Sequence, residues 1–538
     1  MRCALLVLAL SVLPAAAEKK LELTPLRLAL PGAPASLISA DLDGDGRLDL
    51  AVAVVATSWG EIGVTESTKL DEVEGLVEVL TVVPALLDRR ELHLFLQDGA
   101  GSFRPAGPPL TLPTTVHALL RGPAQEPLLA LTDEGISVVR LAADGATSLE
   151  PWIEEPPVLA GSEELLPDLD LSHDLDGDGS RDLILPGREG LVIFLSPGGS
   201  LARQPAGTLA LPLDERLPGH AAHYRQGLTR HYPLPQVQDL DGDGKVDLLV
   251  RNHEKGWNQF QALPGLGGGR FGAPRSPLGG RARDAEPEVV FVGDLDGEGR
   301  AELVTSRQLE KQGDLSMRQE LAEAKRPRFE LGVHRLSAGT KMDSEPARRF
   351  EVDGYVFPRE GEIPIPGGFQ DLNGDRRPDL ITLTLDFSML QALNVLAAKR
   401  ISIGLDFHLW CQAADGSFRQ VTGLDLSGRF TLNLNNLAIG QLSLFSGDFD
   451  GDGRADFVQM GRGTKVSIHR GRADCSYPAK PDLTIEVAEQ IGDPNLVKVA
   501  DLDGDGRSDL AITRPGPKGA DGASAPVELA LYLSGARP

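Results

Sequence analysis

The chain has 538 residues, 53 of them basic and 78 acidic, for a formal charge of −25. That balance leaves no basic patch to neutralise phosphates and speaks against nucleic acid as a partner. Past the N-terminus no segment holds the roughly 18 consecutive apolar residues of a membrane-spanning helix.

Residues 1–17 read as a secretory signal peptide. Arg2 precedes an apolar stretch from Ala4 to Leu13, and Ala15, Ala16 and Ala17 offer small residues for cleavage after Ala17. Cys3 lies too early for a lipid-attachment site. The remaining chain, 18–538, is expected to be secreted, extracellular or periplasmic. Its first element is a strand-like run, LTPLRLALPG, ahead of the first repeat.

At Asp41 begins an acidic nonapeptide, Asp-x-Asp-Gly-Asp-Gly-x-x-Asp, followed by a short apolar run. Six further copies start at Asp174, Asp239, Asp294, Asp371, Asp448 and Asp501. Carboxylates a few ångströms apart repel by roughly 4 kcal/mol per pair at an effective dielectric of about 20. A hard divalent cation with oxygen ligands reverses that sign, and calcium suits the flexible all-oxygen set better than magnesium. The loops hold 27 of the chain's 78 acids, so the acidity is largely a ligand inventory. One Asp/Gly turn needs no ion to explain it; seven copies, six with four spaced acids and one with three, do.

The expected ligands sit at positions 1, 3, 5 and 9, with the backbone carbonyl of position 7. They are Asp41, Asp43, Asp45 and Asp49 with Arg47, and Asp174, Asp176, Asp178 and Asp182 with Ser180. The next sets are Asp239, Asp241, Asp243 and Asp247 with Lys245, and Asp294, Asp296, Glu298 and Glu302 with Arg300. The last three are Asp371, Asn373, Asp375 and Asp379 with Arg377; Asp448, Asp450, Asp452 and Asp456 with Arg454; and Asp501, Asp503, Asp505 and Asp509 with Arg507. The longer acids Glu298 and Glu302 loosen the Asp294 set. Arg376 stands where the second glycine of the Asp371 set belongs. Up to seven calcium ions follow.

These are not EF-hand loops, which need a bidentate Glu at position 12. That position holds Val52, Leu185, Val250, Thr305, Thr382, Gln459 and Ile512. The apolar runs after position 9 read as buried strands. Each unit is therefore strand A, acidic loop, strand B, connection, strand C, hairpin, strand D, with Phe103, Phe271 and Phe418 after three of the hairpins. The run GLGGGRF near Gly267 is such a hairpin rather than a nucleotide loop. Repeated four-stranded units define an all-β propeller.

Successive loops are 133, 65, 55, 77, 77 and 53 residues apart. The first interval spans two units; within it VHALLRGPAQEPLLAL (Val116 to Leu131) has Leu119, Arg121, Pro123 and Pro127 in place of the acids. It reads as a blade without a metal loop. The count is eight blades, with seven as the alternative. The last unit stops after strand C, from Val527. The N-terminal run supplies the missing strand D and closes the ring, leaving no large exposed edge.

The repeats resemble the FG-GAP and VCBS repeats of integrin alpha-chain propellers and of many secreted bacterial proteins, over nearly the whole mature chain. Integrin-type propellers usually have seven blades with calcium in only some, so eight blades and seven acidic loops depart from that pattern. The resemblance implies a partner surface on the face opposite the calcium loops. Three long insertions, near 57–90, 306–326 and 386–400, fall between strands B and C on that face. The first and third carry apolar runs expected to form helices.

Cys411 and Cys475 fall in adjacent units and are either bridged or two buried thiols. His220, His223 and His231 lie close in one crossing; a solvated loop is the expectation there, with zinc as the alternative. No Gly-x-Ser-x-Gly elbow, phosphate loop or free acid/base pair stands out. Four Trp and five Tyr are few for stacking sugars. The functional expectation is a secreted calcium-binding adhesion or protein-interaction module, not an enzyme, whose partner is a protein or glycan. The alternatives are a carbohydrate-binding module and a propeller-based polysaccharide-degrading enzyme.

Overall fold

A computed structural model describes residues 21–56, 89–99, 101–157, 171–187, 189–211, 235–251, 260–274, 288–309, 326–337, 341–342, 345–356, 368–386, 400–421, 427–433, 443–460, 464–487, 497–514 and 527–535. The expected signal peptide (1–17), the histidine crossing, and the bodies of the three insertions (57–88, 310–325 and 387–399) lie outside them.

Eight antiparallel sheets follow one another as the blades of a propeller. Blade one runs Ala33–Ala40, Asp49–Ala56, Arg89–Gln97 and Phe103–Pro105. Blade two is Val116–Arg121, Leu128–Thr132, Gly135–Leu141 and Thr147–Ile153. Blade three is Ser172–His173, Asp182–Gly187, Gly190–Phe194 and Gly207–Ala210. Blade four pairs Gln236–Gln238, Asp247–Arg251 and Phe260–Leu263, followed by the hairpin Gly265–Gly267/Arg270–Phe271. Blade five is Glu288–Gly293, Glu302–Gln308, Arg328–Ser337 and Arg348–Asp353. Blade six is Gly368–Gln370, Asp379–Asp386, Arg400–Gln412 and Phe418–Val421, with Ser427–Asn433 also paired to its third strand. Blade seven is Ser443–Gly447, Asp456–Met460, Lys465–His469 and Leu483–Glu486. Blade eight takes Val497–Ala500, Asp509–Arg514 and Val527–Ser534 from the C-terminal end of the chain.

The fourth strand of blade eight is Leu23–Leu30, paired antiparallel from Leu23 opposite Ser534 to Leu30 opposite Val527. The run at the start of the chain thus supplies the strand missing at its end. The eight blades form a closed ring, as the repeat count predicts.

The packing shows why strand B reads as a continuous apolar run. Side chains alternate between the two faces of a sheet, and in a propeller both faces of a blade meet a neighbour. In blade one, Leu50, Val52 and Val54 join a core with Leu502, Ala511 and Leu529 of blade eight. Ala51 and Ala53 join Leu119, Leu128 and Ala130 of blade two. Eight such clusters, one at each blade-to-blade boundary, complete the circle. The seam between blades eight and one also carries polar ties: Gln97 Nε2 donates to Asp503 O (2.8 Å) and Ser39 Oγ to Asp501 O (3.4 Å).

Blade two confirms the expected unit without an acidic loop. Leu119 and Arg121, aligned by sequence with ligand positions, belong to its first strand, and the turn is 122–127. Cys411, in the third strand of blade six, is bridged to Cys475, in the connection between the third and fourth strands of blade seven. The two blades are therefore cross-linked covalently.

Candidate metal centres

All seven nonapeptides bridge strands A and B of their blades, and their backbones follow one plan. Glycines at positions 4 and 6 take positive φ, as at Gly44 (79°) and Gly46 (85°), where a Cβ would be strained. The turn aims backbone N–H groups at the acids. Asp41 Oδ1 accepts from Gly44 N–H (2.8 Å) and its Oδ2 from Gly46 N–H (2.9 Å). Asp43 accepts from Asp45 N–H (3.2 Å) and Asp45 from Arg47 N–H (2.9 Å). The position-1 pair of bonds recurs at Asp174, Asp239, Asp294, Asp371, Asp448 and Asp501.

Arg376 shows how strict the plan is. It adopts φ 67°, the glycine conformation, and still donates its N–H to Asp371 Oδ2 at 2.8 Å. Asn373 replaces the position-3 acid and its Oδ1 accepts from Asp375 N–H at 3.0 Å. The departure seen in the sequence leaves the loop shape intact.

Position 9 is both buried and structural. Asp182 Oδ2 accepts from Leu175 N–H (2.9 Å) within its loop, and its Oδ1 from Ser196 N–H (2.7 Å) beyond the end of the third strand. Asp49, Asp247, Asp379, Asp456 and Asp509 each make the same two bonds. Each carboxylate therefore ties the A–B loop to the C–D turn, which places both on one face of the ring. Glu302 keeps the first bond, from Leu295 N–H at 2.9 Å, and has no counterpart of the second among the described residues.

Burial, reinforced by neighbouring loop acids, raises these carboxyls: Asp182 and Asp379 to about 6, Asp456 and Asp509 to about 7. Asp49, Asp247 and Glu302 are raised for the same reasons. The backbone bonds, two to each Asp and one to Glu302, pull the other way but do not prevail. Groups so placed gain from a cation that favours their charged form.

In four of the loops three of the expected ligands come together. Asp174, Asp176 and Asp182 bring one carboxylate oxygen each within 4.8 Å of one another, as do Asp239, Asp241 and Asp247, and Asp294, Asp296 and Glu302. In the first loop Asp41, Asp43 and Asp45 do so. In the seventh blade's loop Asp450 Oδ1 is buried and has no hydrogen-bond partner. A buried, unpartnered anionic oxygen beside Asp448, Asp452 and Asp456 fits a hard cation.

Position 7 does something the spacing does not reveal. Its side chain pairs with the position-5 acid: Arg47 with Asp45, Lys245 with Asp243, Arg377 with Asp375, and Arg454 with Asp452. It also packs on the preceding blade's loop. A Cβ on Gly242, Gly297 or Gly451 would meet Arg300, Arg377 or Arg507 respectively. The acidic loops thus contact one another around the ring, and these close glycines keep the space.

Blade two has no acidic loop and instead carries a buried carboxylate in its A–B turn. Glu126, 2% exposed, accepts from Leu201 N–H (2.9 Å) and pairs with Arg140 (3.3 Å). A single acid in a Pro-flanked turn gave no sequence signal of that role.

The class of protein is set by this architecture: a closed eight-bladed β-propeller with seven Asp-rich loops on one face. Residues 239–305 and 448–512 match the FG-GAP-like repeat family, each stretch running from one acidic loop to the second strand of the following blade. These two stretches are FG-GAP-like repeats within an eight-bladed propeller, in keeping with the sequence resemblance. No curated protein matches it. A solved structure describing specific recognition of non-reducing terminal N-acetylglucosamine by an Agrocybe aegerita lectin is similar at 17% identity and a TM-score of 0.42, covering 78% of this chain and 91% of that one. Among the described residues no helix is long and apolar enough to cross a membrane.

Proposed function

We propose that this protein is a secreted, calcium-stabilised propeller that serves as an adhesion or protein-interaction module. An FG-GAP propeller supports protein interaction in general. The single observation that carries the calcium reading is the repeated loop plan, with three acids drawn to one point in each of four loops and Asp450 Oδ1 left buried without a partner. A bound calcium ion would neutralise the clustered carboxylates. The chain's own residues do the rest: loop N–H groups orient the acids, and position 9 joins the loop to the C–D turn. Secretion is supported by the leader-like residues 1–17 and by a disulfide that an oxidising compartment permits. The partner, a protein or glycan, is assigned to the face opposite the loops, where the B–C connections run.

Ions that bind only the folded form add about 2.7 kcal/mol per site at 100-fold over Kd. Melting in calcium should therefore lie well above melting in EDTA, and equal melting temperatures would refute the ion role. Capture of extracellular partners by the intact chain, lost when the B–C insertions are deleted and retained when a loop acid is neutralised, tests the face.

A further inference from the structure

Position 7 divides the seven loops. It is basic in six of them and is Ser180 in the Asp174 loop. In five loops the basic side chain lies on the position-5 acid of its own loop: Arg47 on Asp45, Lys245 on Asp243, Arg377 on Asp375, Arg454 on Asp452, and Arg507 Nε 4.0 Å from Asp505. In blade five Arg300 leans instead on the loop of blade four, its Cγ 2.8 Å from where a Cβ on Gly242 would stand. The acids of that fifth loop are flanked by Arg335, Arg348 and Arg377.

The Asp174 loop is spared on both counts. Among the described residues no basic side chain pairs with Asp174, Asp176 or Asp178, which accept from loop N–H groups alone. Arg181, the next residue after Ser180, turns to strand A and donates Nη1 to Ser172 O at 2.9 Å. Nor does the following blade lend a cation. A Cβ on Gly177 would meet nothing within 4 Å, whereas the matching Gly242, Gly297, Gly374 and Gly451 each face an arginine of the next blade. Three of its acids, Asp174, Asp176 and Asp182, nevertheless gather as closely as in the other loops.

We propose that position 7 sets the calcium affinity of each loop, a basic residue there acting as an internal competitor, and that the Asp174 loop, which lacks one, fills first. The inference rests on the calcium reading above. The position-5 carboxylate is an expected ligand. While a tethered guanidinium or ammonium holds it, that pairing opposes the ion. Once the pairing gives way, the released charge still stands beside the dication. One positive charge about 6 Å from a dication in water opposes its binding roughly tenfold, and salt reduces the effect.

The test is calorimetric titration of the full chain, stripped of metal, with calcium at low ionic strength. The parent should bind about one ion roughly tenfold more tightly than the rest. Ser180→Arg should remove this leading class, and Ser180→Gln, which adds bulk without charge, should keep it. Arg47→Ser is the reciprocal change: Arg47 is exposed, and Gly44, like Gly177, has nothing within 4 Å of a Cβ. It should enlarge the leading class from about one ion to about two. A merely structural role for position 7 would not tighten binding on truncation. Equal affinity at every site, a leading class that survives Ser180→Arg or vanishes in Ser180→Gln, or no gain in Arg47→Ser would each overturn this assignment and leave the calcium reading standing. Absence of any calcium binding would overturn both.

Discussion

Replacing Asp182 with Ala should destabilise the protein even when no metal is bound. The carboxylate is 1% exposed and accepts two backbone hydrogen bonds, from Leu175 at 2.9 Å and from Ser196 at 2.7 Å. Alanine leaves both N–H groups in the blade interior without partners. Each such loss costs about 1–3 kcal/mol, so the substitution should cost roughly 2–6 kcal/mol. Asp176→Ala is the internal comparison: among the described residues Asp176 accepts one backbone bond, from Asp178 at 3.1 Å, and lies nearer solvent. Urea denaturation in EDTA should then separate the two variants, with Asp182→Ala far below the parent and Asp176→Ala within about 1 kcal/mol of it. Added calcium should widen the gap between the parent and Asp176→Ala, because that variant has lost a ligand. Equal midpoints for both variants in EDTA would show that position 9 acts only through the ion, and the strut argument would fail.

Three further outcomes follow from the same geometry. Cys411→Ser should lower stability by about 4 kcal/mol, the chain-entropy value for the 64-residue separation that the bridge closes; denaturation under oxidising conditions measures it, and a fall of under about 1 kcal/mol would contradict a bridge that restrains the unfolded chain. Arg376→Gly should raise stability by about 1 kcal/mol, since a left-handed backbone is strained for Arg and free for Gly; a loss would mean that the Arg376 side chain outweighs its backbone. In EDTA, the buried position-9 acids should make the protein more stable as pH falls from about 7 towards 4. Asp182 and Asp379 titrate near 6 and Asp456 and Asp509 near 7 in the fold, against an ordinary 3.8. The folded form then holds more protons across that window, so their contribution is full below about 4 and lost as pH rises through 6 to 7. Calcium, which needs the charged form, should reverse the trend, and melting curves against pH with and without it are the measurement.

The sequence by itself determined the repeat, the strand order and the ring closure. These rest on local chemistry: four acids and two glycines at fixed spacing define the A–B loop, and strand B is apolar throughout because both its faces are buried between blades. The unmatched strands at the two ends, Leu23–Leu30 and Val527–Ser534, were readable as partners because a propeller leaves no other place for them. What the tertiary structure decided lies wherever residues of different blades meet. Spacing could not tell that position 9 spans to Ser196 or Gln412, or that Arg300 and Arg377 cover the preceding loop's glycines. Nor could it tell that Glu126 pairs with Arg140 inside blade two, or that Cys475 reaches Cys411 from the next blade. Those contacts depend on the rotation from one blade to the next, which the ring imposes and no stretch of chain records.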